Sequence, residues 1–258
     1  MKEIESQFQK TTAILFGKPL SGLTLYGGWL LQHVPGRCIM RKSKTSGRDV
    51  FVPSLQFFEG MGKNVVTVDE AIPLGERHIS EQEAHSLRLA NASKLLSQVK
   101  TTTPEIIDRQ NFGTEQSACY GPTQYCFQVT FCWWSKYIAY SFWSRTSDSL
   151  FGCSLLTDCS FCIKCHSSTK LTRCFEVNDS NTCADCYFCH NSENLQDCMF
   201  CFNAKGKRYA IGNVEVGREA YVKVKKLVVG SILCELERSH SLCYDIYNVC
   251  EGRKKQAN

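Results

Sequence analysis

Residues 159–174 read CSFCIKCHSSTKLTRC, and residues 183–198 read CADCYFCHNSENLQDC. The two stretches align at an offset of 24 residues, with Cys, His, Ser and Leu recurring in register. Self-similarity at a fixed offset is the sequence signature of a repeat architecture. A coil of this length is typical of a parallel β-solenoid, in which each coil stacks on the next.

A frame of three residues underlies the repeat. The twelve Cys between positions 126 and 204 all fall at multiples of three, whereas every charged residue of this region lies outside that frame. Every third residue is therefore expected to face an interior too tight for large or charged groups. With coils of 24 residues, we predict that Cys162 stacks against Cys186 and Cys165 against Cys189.

A period of three does not fit a flat strand, because side chains of a strand alternate with a period of two. We therefore expect short strands joined by frequent corners, for which the many Asn and Asp residues outside the frame are suited. Before Cys132 the pattern is conventional and predicts an ordinary strand with these alternating residues: Tyr125, Phe127, Val129, Phe131 and Trp133.

Three regions follow, and the predicted fold class is mainly β. We predict an α+β region over residues 1–110, the Cys-rich parallel β-solenoid over 111–213, and a capping helix with a polar tail over 214–258. Since a solenoid exposes its apolar core at an open end, a helix over residues 217–238 is expected to cover that end.

The N-terminal region contains signals for two kinds of element. Residues 37–42 and 48–53 flank a turn and predict a β-hairpin. Residues 79–100 predict a helix that begins at a capping box formed by Ser80 and Glu83. A linker is expected to lead from this helix into the solenoid.

The end of the solenoid resembles a known group of proteins. Cys triplets lead into an Asn-x-x-x-Lys-x-Tyr-x-Ile strand and then into a helix starting near Glu-x-Tyr, with these matching residues: Asn203, Lys207, Tyr209, Ile211, Glu219 and Tyr221. The pattern is similar to that of uncharacterised Cys-rich repeat proteins of archaea and small-genome uncultivated bacteria. It covers roughly residues 150–226 and implies a fold rather than an activity.

The composition suggests a compartment. The formal net charge of +5 over 258 residues is too weak to imply a nucleic-acid or membrane partner. We see no secretory signal and no apolar stretch of about 18 residues, so we expect a cytoplasmic protein without a membrane span. In a reducing compartment the seventeen Cys are expected to be free or metal-bound.

Two matches to the C-x-x-C-H pattern of c-type haem attachment begin at Cys162 and Cys186. The frame of three accounts for the same Cys without haem. Because His166 and His190 follow Cys directly, they should point away from the solenoid interior. Runs of C-x-x-C-x-x-C also suggest an iron–sulfur cluster, but the ferredoxin continuation is missing. An electron carrier is one alternative function.

Structural zinc is the other alternative, since zinc takes four Cys or His ligands in a tetrahedron. Stacked C-x-x-C pairs give these first candidate ligands: Cys162, Cys165, Cys186 and Cys189. The next candidates are Cys159, Cys183, Cys198 and Cys201. Against zinc, free Cys also behaves as a small hydrophobe that fills a core. Stacked Cys could also form disulfides at the spacing between coils.

The favoured function is a non-enzymatic scaffold or interaction protein with no catalytic residues, and no cofactor is expected unless the Cys hold zinc. Its partner is expected to be a macromolecule, and a protein rather than a nucleic acid. A solvated hairpin face accounts for this basic cluster: Arg37, Arg41, Lys42, Lys44 and Arg48. Four aromatic residues are expected to cover the outer wall beneath the N-terminal region: Trp143, Tyr187, Phe188 and Phe202.

Overall fold

The N-terminal region combines helices with one hairpin, as predicted. Its elements are α1 (Lys2–Phe16), α2 (Gly27–Leu30), β1 (Cys38–Lys42), β2 (Asp49–Pro53), α3 (Gln56–Glu59), α4 (Val68–Leu74), α5 (Glu81–Ser86) and α6 (Leu89–Leu96), with a 3-10 turn at Leu23–Tyr26. The computed structural model describes residues 1–61, 64–108 and 110–251. Residues 252–258 of the predicted polar tail lie outside this part.

The predicted hairpin is confirmed, whereas the predicted single helix over residues 79–100 is wrong. Strands β1 and β2 pair antiparallel. The capping box at Ser80 and Glu83 is present, but the chain is extended at Leu87 and Arg88, between α5 and α6. The Arg88 amide donates to Asn91 Oδ1 at 2.7 Å, which caps a second helix. Neither α5 nor α6 has a buried residue, so no packing favours one continuous helix.

The rest of the described chain is a parallel β-solenoid, followed by a long helix. Its strands are β3 (Ala118–Tyr120), β4 (Thr123–Gln124), β5 (Thr130–Trp133), β6 (Ser135–Ala139), β7 (Phe142–Arg145), β8 (Asp148–Phe151), β9 (Ser154–Thr157), β10 (Ser160–Ile163), β11 (His166–Thr169), β12 (Phe175–Asn178), β13 (Tyr187–His190), β14 (Gln196–Met199), β15 (Arg208–Ile211) and β16 (Val214–Glu215). The final strand, β16, pairs antiparallel with β15, and α7 (Arg218–Ser239) follows.

Each coil is twelve residues long. Ala118 pairs in parallel with Thr130, Thr130 with Phe142, and Phe142 with Ser154. The same offset continues to β15, giving about eight turns. The predicted linker before the solenoid is already part of it, because Ile107 bridges to Tyr120.

The predicted coil of 24 residues is therefore wrong, since that offset spans two coils. In one column of inward-facing residues, Cys159 is followed one coil later by Leu171, then by Cys183 and Leu195. Large and small side chains thus alternate from coil to coil in this column. Another column alternates in the same way over three successive coils: Cys165, Val177 and Cys189. Because of this alternation, the sequence matches itself better after two coils than after one.

The solenoid has a four-sided cross-section, because the backbone bends at a left-handed residue at every third position of the twelve-residue coil. From Gly113 to Gly212, every third residue except Pro122 has a positive φ. Each bend starts a new side of three residues. The residue directly after the bend, whose number is a multiple of three, points its side chain into the lumen. The predicted short strands with frequent corners are confirmed. The ordinary strand predicted before Cys132 is wrong, because Tyr125 has φ 52° and Phe131 has φ 56°.

One outer wall of the solenoid is apolar and lies beneath helices. Phe8 of α1 meets Phe151 edge-to-face with ring centroids 5.1 Å apart, and Phe16 meets Phe175 in the same way. The Tyr187 hydroxyl donates to the Leu15 carbonyl at 2.7 Å. The wall and α1 therefore form a second hydrophobic core outside the lumen.

The predicted C-terminal helix is confirmed as α7, and it packs along this same wall beside α1. Tyr221, Ile232 and Leu236 are its buried residues. The Tyr221 hydroxyl donates to the Asp185 carbonyl at 3.2 Å, so the start of α7 lies on the side of the solenoid. At the C-terminal end, the edge of β15 is covered by the antiparallel strand β16.

Candidate interaction surface

Several inward hydroxyls and thiols make the same two hydrogen bonds. Ser147 Oγ donates to the Arg145 carbonyl at 2.8 Å and accepts from the Cys159 amide at 3.2 Å. One coil later, Cys159 Sγ donates to the Thr157 carbonyl at 3.2 Å and accepts from the Leu171 amide at 3.3 Å. Ser and Cys are therefore interchangeable here, since each satisfies a carbonyl on its own coil and an amide on the next.

The four first candidate zinc ligands all face the lumen and have no exposed surface: Cys162, Cys165, Cys186 and Cys189. Cys174 lies between the first and third of them, and Val177 between the second and fourth. At the strand spacing of about 4.8 Å, each predicted stacked pair is roughly 10 Å apart. The predicted direct stacking of these pairs is therefore wrong, because the coil has twelve residues instead of 24.

The other candidate ligands extend the same thiol network. Cys198 and Cys201 follow one coil after Cys186 and Cys189, and Leu171 separates Cys159 from Cys183. Among the described residues, no group of three or more His, Cys, Asp or Glu side chains is arranged to hold a metal ion. Zinc binding stays a prediction, which metal analysis of the purified protein tests.

Burial raises the pKa of several inward thiols, whereas hydrogen bonds from neighbouring thiols outweigh burial at Cys174 and Cys201 and lower the pKa of both. Burial raises the pKa of Cys159 to about 12 and the pKa of Cys153 well above its usual range. Contacts with four neighbouring thiols, together with burial, do the same for the pKa of Cys186. The thiols whose pKa is raised stay protonated and are poor nucleophiles and poor metal ligands, so they act chiefly as hydrogen-bonding core residues.

In the two C-x-x-C-H segments, the Cys side chains point into the lumen and the His side chains lie on the outer side of the wall. Their Cys face the lumen, whereas His166 Nδ1 lies 2.8 Å from Ser154 Oγ on the outer side. His190 lies on the same outer column, one coil beyond Asn178. The predicted outward direction of both His is confirmed. Thiols enclosed in the lumen cannot reach a haem on the His side, so these segments do not fit c-type haem attachment.

An aromatic cleft opens on a wall that α1 and α7 leave uncovered, and Phe58 of α3 contacts one side of its lining at Phe131, with ring centroids 5.9 Å apart. Its volume is about 250 Å³, and it is lined by Phe131, Trp133, Trp134, Trp143, Ser144 and Arg145. Trp134 is 47% exposed and Trp143 is 51% exposed. Trp143 was expected to be covered with Tyr187 and Phe188. Those two are buried and Phe202 is half-buried, but Trp143 lies on a different wall.

The rings of the aromatic cleft hold one another in place. Phe131 stacks on Trp143 with centroids 5.6 Å apart and planes 24° apart. The Arg145 guanidinium lies 5.0 Å from the centroid of the Trp134 ring. Arg145 forms none of the ion pairs found among the described residues, so this cation faces the cleft and solvent without a carboxylate beside it.

The basic cluster of the hairpin is mostly engaged locally. Lys42 Nζ pairs with Asp49 Oδ1 at 2.5 Å, and Arg48 lies 3.5 Å from carboxylate oxygens of both Asp69 and Glu70. Arg37 donates to a backbone carbonyl. These contacts use the hairpin cations within the chain, which weakens the case for a nucleic-acid patch there.

A buried ion pair lies on the helix-covered wall. Lys164 and Glu176 are both fully buried, with Nζ 3.4 Å from Oε1. Lys164 also donates to Gln32 Oε1 at 3.0 Å, and Glu176 Oε2 accepts from the Ile246 amide at 3.0 Å. The pair therefore fixes both the turn after α2 and the segment after α7 against the solenoid.

Two His lie beside this pair, in different environments. His33 Nε2 is 2.8 Å from Asp245 Oδ2, which ties the segment after α7 to the N-terminal region. Burial lowers the pKa of His166 to about 3, and burial raises the pKa of Glu176 to about 7. His166 and Glu176 are buried and His33 is partly exposed, so the structure gives these groups a role in holding segments together.

A comparison with protein-family models and with curated proteins finds no match to this chain. The resemblance of residues 150–226 to Cys-rich repeat proteins of archaea and uncultivated bacteria therefore stays a prediction. No helix within residues 1–61, 64–108 and 110–251 has the length and apolar character needed to cross a membrane.

Proposed function

We propose that the protein is a non-enzymatic scaffold whose solenoid presents the aromatic cleft to a protein partner. The observation that supports this most is the pair of exposed Trp residues beside an Arg without a carboxylate partner. Trp and Arg are the residues most enriched among those that dominate binding energy at protein interfaces.

The backbone at the two Trp residues determines which substitutions test this proposal. Trp134 and Trp143 both occupy left-handed corner positions, with φ 49° and 52°. A bulky residue in that conformation costs about 1–2 kcal/mol, whereas Asn and Gly adopt it readily. Rings at these corners therefore lower the stability of the free protein, as do other bulky residues at left-handed corners such as Tyr137 and Leu155, and Asn at either corner should not.

The charges around the cleft favour a protein over a nucleic acid. Along the same uncovered wall the exposed charged residues have both signs: Asp158, Lys170, Asp179, Glu193 and Lys205. A nucleic-acid backbone needs a continuous positive track. The acidic residues of this wall would repel a nucleic-acid backbone. The buried thiols also suit a reducing compartment, where they stay unpaired.

The test uses a variant with Trp134→Asn and Trp143→Asn, because Asn fits both left-handed corners. The matched control carries Val222→Ser and Leu227→Ser, which remove exposed apolar side chains from α7 on another wall. Tagged proteins are used to capture partners from source cells. Each protein that the wild type retains and the Trp variant does not is then purified, and its affinity is measured by calorimetry.

We expect the Trp variant to fold with at least wild-type stability and to bind the purified partner about thirtyfold more weakly, as for the loss of about 2 kcal/mol at a dominant contact. The control should bind as the wild type does. If no partner depends on the two Trp, or if the control loses as much affinity as the Trp variant, the proposed function is wrong.

A further inference from the structure

The size of the aromatic cleft limits what can occupy it. Its volume of about 250 Å³ is below the range of about 300–1,000 Å³ that is usual for small-molecule and cofactor sites. It is also open along the wall instead of enclosed. A cleft of this size suits a few side chains of a peptide that runs across the surface.

The chemistry of the lining limits the occupant further. Four of the six lining residues are aromatic, and the cationic group is Arg145. Flat apolar rings are contacted well by proline, whose segments adopt a preformed extended helix and therefore lose little entropy on docking to aromatic grooves. A carboxylate on the same segment would match the guanidinium, which has no carboxylate partner among the described residues.

We propose that the aromatic cleft binds an extended, proline-containing protein segment in which an acidic residue lies close to the prolines. This inference rests on the proposed function and names its partner class. The prolines pack on the Trp134 and Trp143 rings, and the carboxylate pairs with Arg145. The half-buried Phe131 and Trp133 support the exposed rings from below.

The experiment measures fluorescence anisotropy with labelled peptides of Pro-Pro-Glu repeats. Comparison peptides replace every Pro by Ala, or every Glu by Lys, and labelled oligothymidine represents single-stranded nucleic acid. The wild type should bind the Pro-Pro-Glu peptide at least about tenfold more tightly than each comparison probe, a difference of about 1.4 kcal/mol. Trp143→Asn should abolish this preference, whereas Leu227→Ser should keep it.

A charge swap separates recognition from a general structural effect. Arg145→Glu should reverse the order, so that the Pro-Pro-Lys peptide binds more tightly than the Pro-Pro-Glu peptide. Equal binding of the Ala peptide, no binding of the Pro-Pro-Glu peptide, stronger binding of oligothymidine, or an unchanged order in Arg145→Glu would each overturn the inference.

Failure of this inference can be distinguished from failure of the proposed function. A captured partner that needs both Trp residues but binds through a segment without proline would leave the scaffold function standing and would reject the proline segment. The absence of any Trp-dependent partner would instead reject the scaffold function itself.

Discussion

The interchange of Ser and Cys in the lumen can be tested at Cys159. Its thiol is 2% exposed, donates to the Thr157 carbonyl and accepts from the Leu171 amide. Cys159→Ser keeps both hydrogen bonds, as Ser147 shows one coil earlier, so unfolding free energy should change by less than about 1 kcal/mol. Cys159→Ala removes the acceptor and leaves a buried amide unsatisfied.

The magnitude for the Ala variant follows from two contributions. An unsatisfied buried amide costs about 1–3 kcal/mol. The lost van der Waals volume adds about 1 kcal/mol, by comparison with a buried methylene. Cys159→Ala should therefore destabilise by about 2–4 kcal/mol, and each kcal/mol corresponds to about 2–4 °C in Tm for a domain of this size.

The assay is thermal and denaturant unfolding under reducing conditions, followed by circular dichroism. The reciprocal pair at Ser147 is the control: Ser147→Cys should be mild, and Ser147→Ala should cost about as much as Cys159→Ala. Cys159→Ser as damaging as Cys159→Ala would refute the reasoning, because the thiol would then have a role that a hydroxyl cannot fill.

Three further predictions concern other parts of the fold. Thr182 is an exposed β-branched residue with φ 54°, so Thr182→Asn should raise the free energy of unfolding by about 0.5–1 kcal/mol. The control Thr157→Asn lies at a position with ordinary φ and should not raise it. Both are measured from the midpoints of denaturant unfolding. Lys164→Met should destabilise by about 3–5 kcal/mol because it leaves Glu176 buried without its partner, and Lys164→Met with Glu176→Leu should recover most of the loss in a double-mutant cycle. Because the folded-state pKa of His166 is lowered to about 3, its contribution is present above its unfolded pKa of about 6.5 and is lost as pH falls toward 3. His166→Asn should therefore make the free energy of unfolding depend less on pH in this window, and Asn178 already occupies the equivalent position one coil later. Glu176, whose folded-state pKa is raised, gives the opposite pH dependence. The variant Glu176→Gln removes that contribution separately.

The interior of the solenoid was predictable from the sequence because its rule is local and strict. Every multiple of three must be small or apolar, and the frame holds from Cys126 to Ala204. After Cys126, Lys207 is the first charged residue in the frame, and it lies in the last coil, directly before β15. The end of the solenoid was therefore also visible in the sequence.

The outer walls were predicted only in part, because a full prediction requires the correct coil length. At an interval of twelve residues, one outer column is apolar throughout: Phe127, Ala139, Phe151, Ile163, Phe175, Tyr187, Met199 and Ile211. This signal would have located the wall that α1 and α7 cover. A coil of 24 residues places its members on two different columns, so the signal was missed and Trp143 was grouped with the buried aromatics.

The aromatic cleft could not be derived from the pattern for a related reason. Its residues come from two adjacent coils, and only the twelve-residue register brings Trp133 beside Arg145. The same register separates the stacked C-x-x-C pairs on which the zinc hypothesis depended. The two site predictions therefore depend on the same quantity, the number of residues in a coil.

The most direct test of a thiol-packed solenoid is a count of reactive thiols in protein purified without reductant or added metal. The structure places three Cys on the surface (Cys234, Cys243 and Cys250), one at an intermediate position and thirteen in the interior. We predict three fast-reacting thiols in the native protein and all seventeen after unfolding. Fewer than seventeen after unfolding would mean that disulfides replace packed thiols, and extra thiols released by a chelator would mean that metal holds the core.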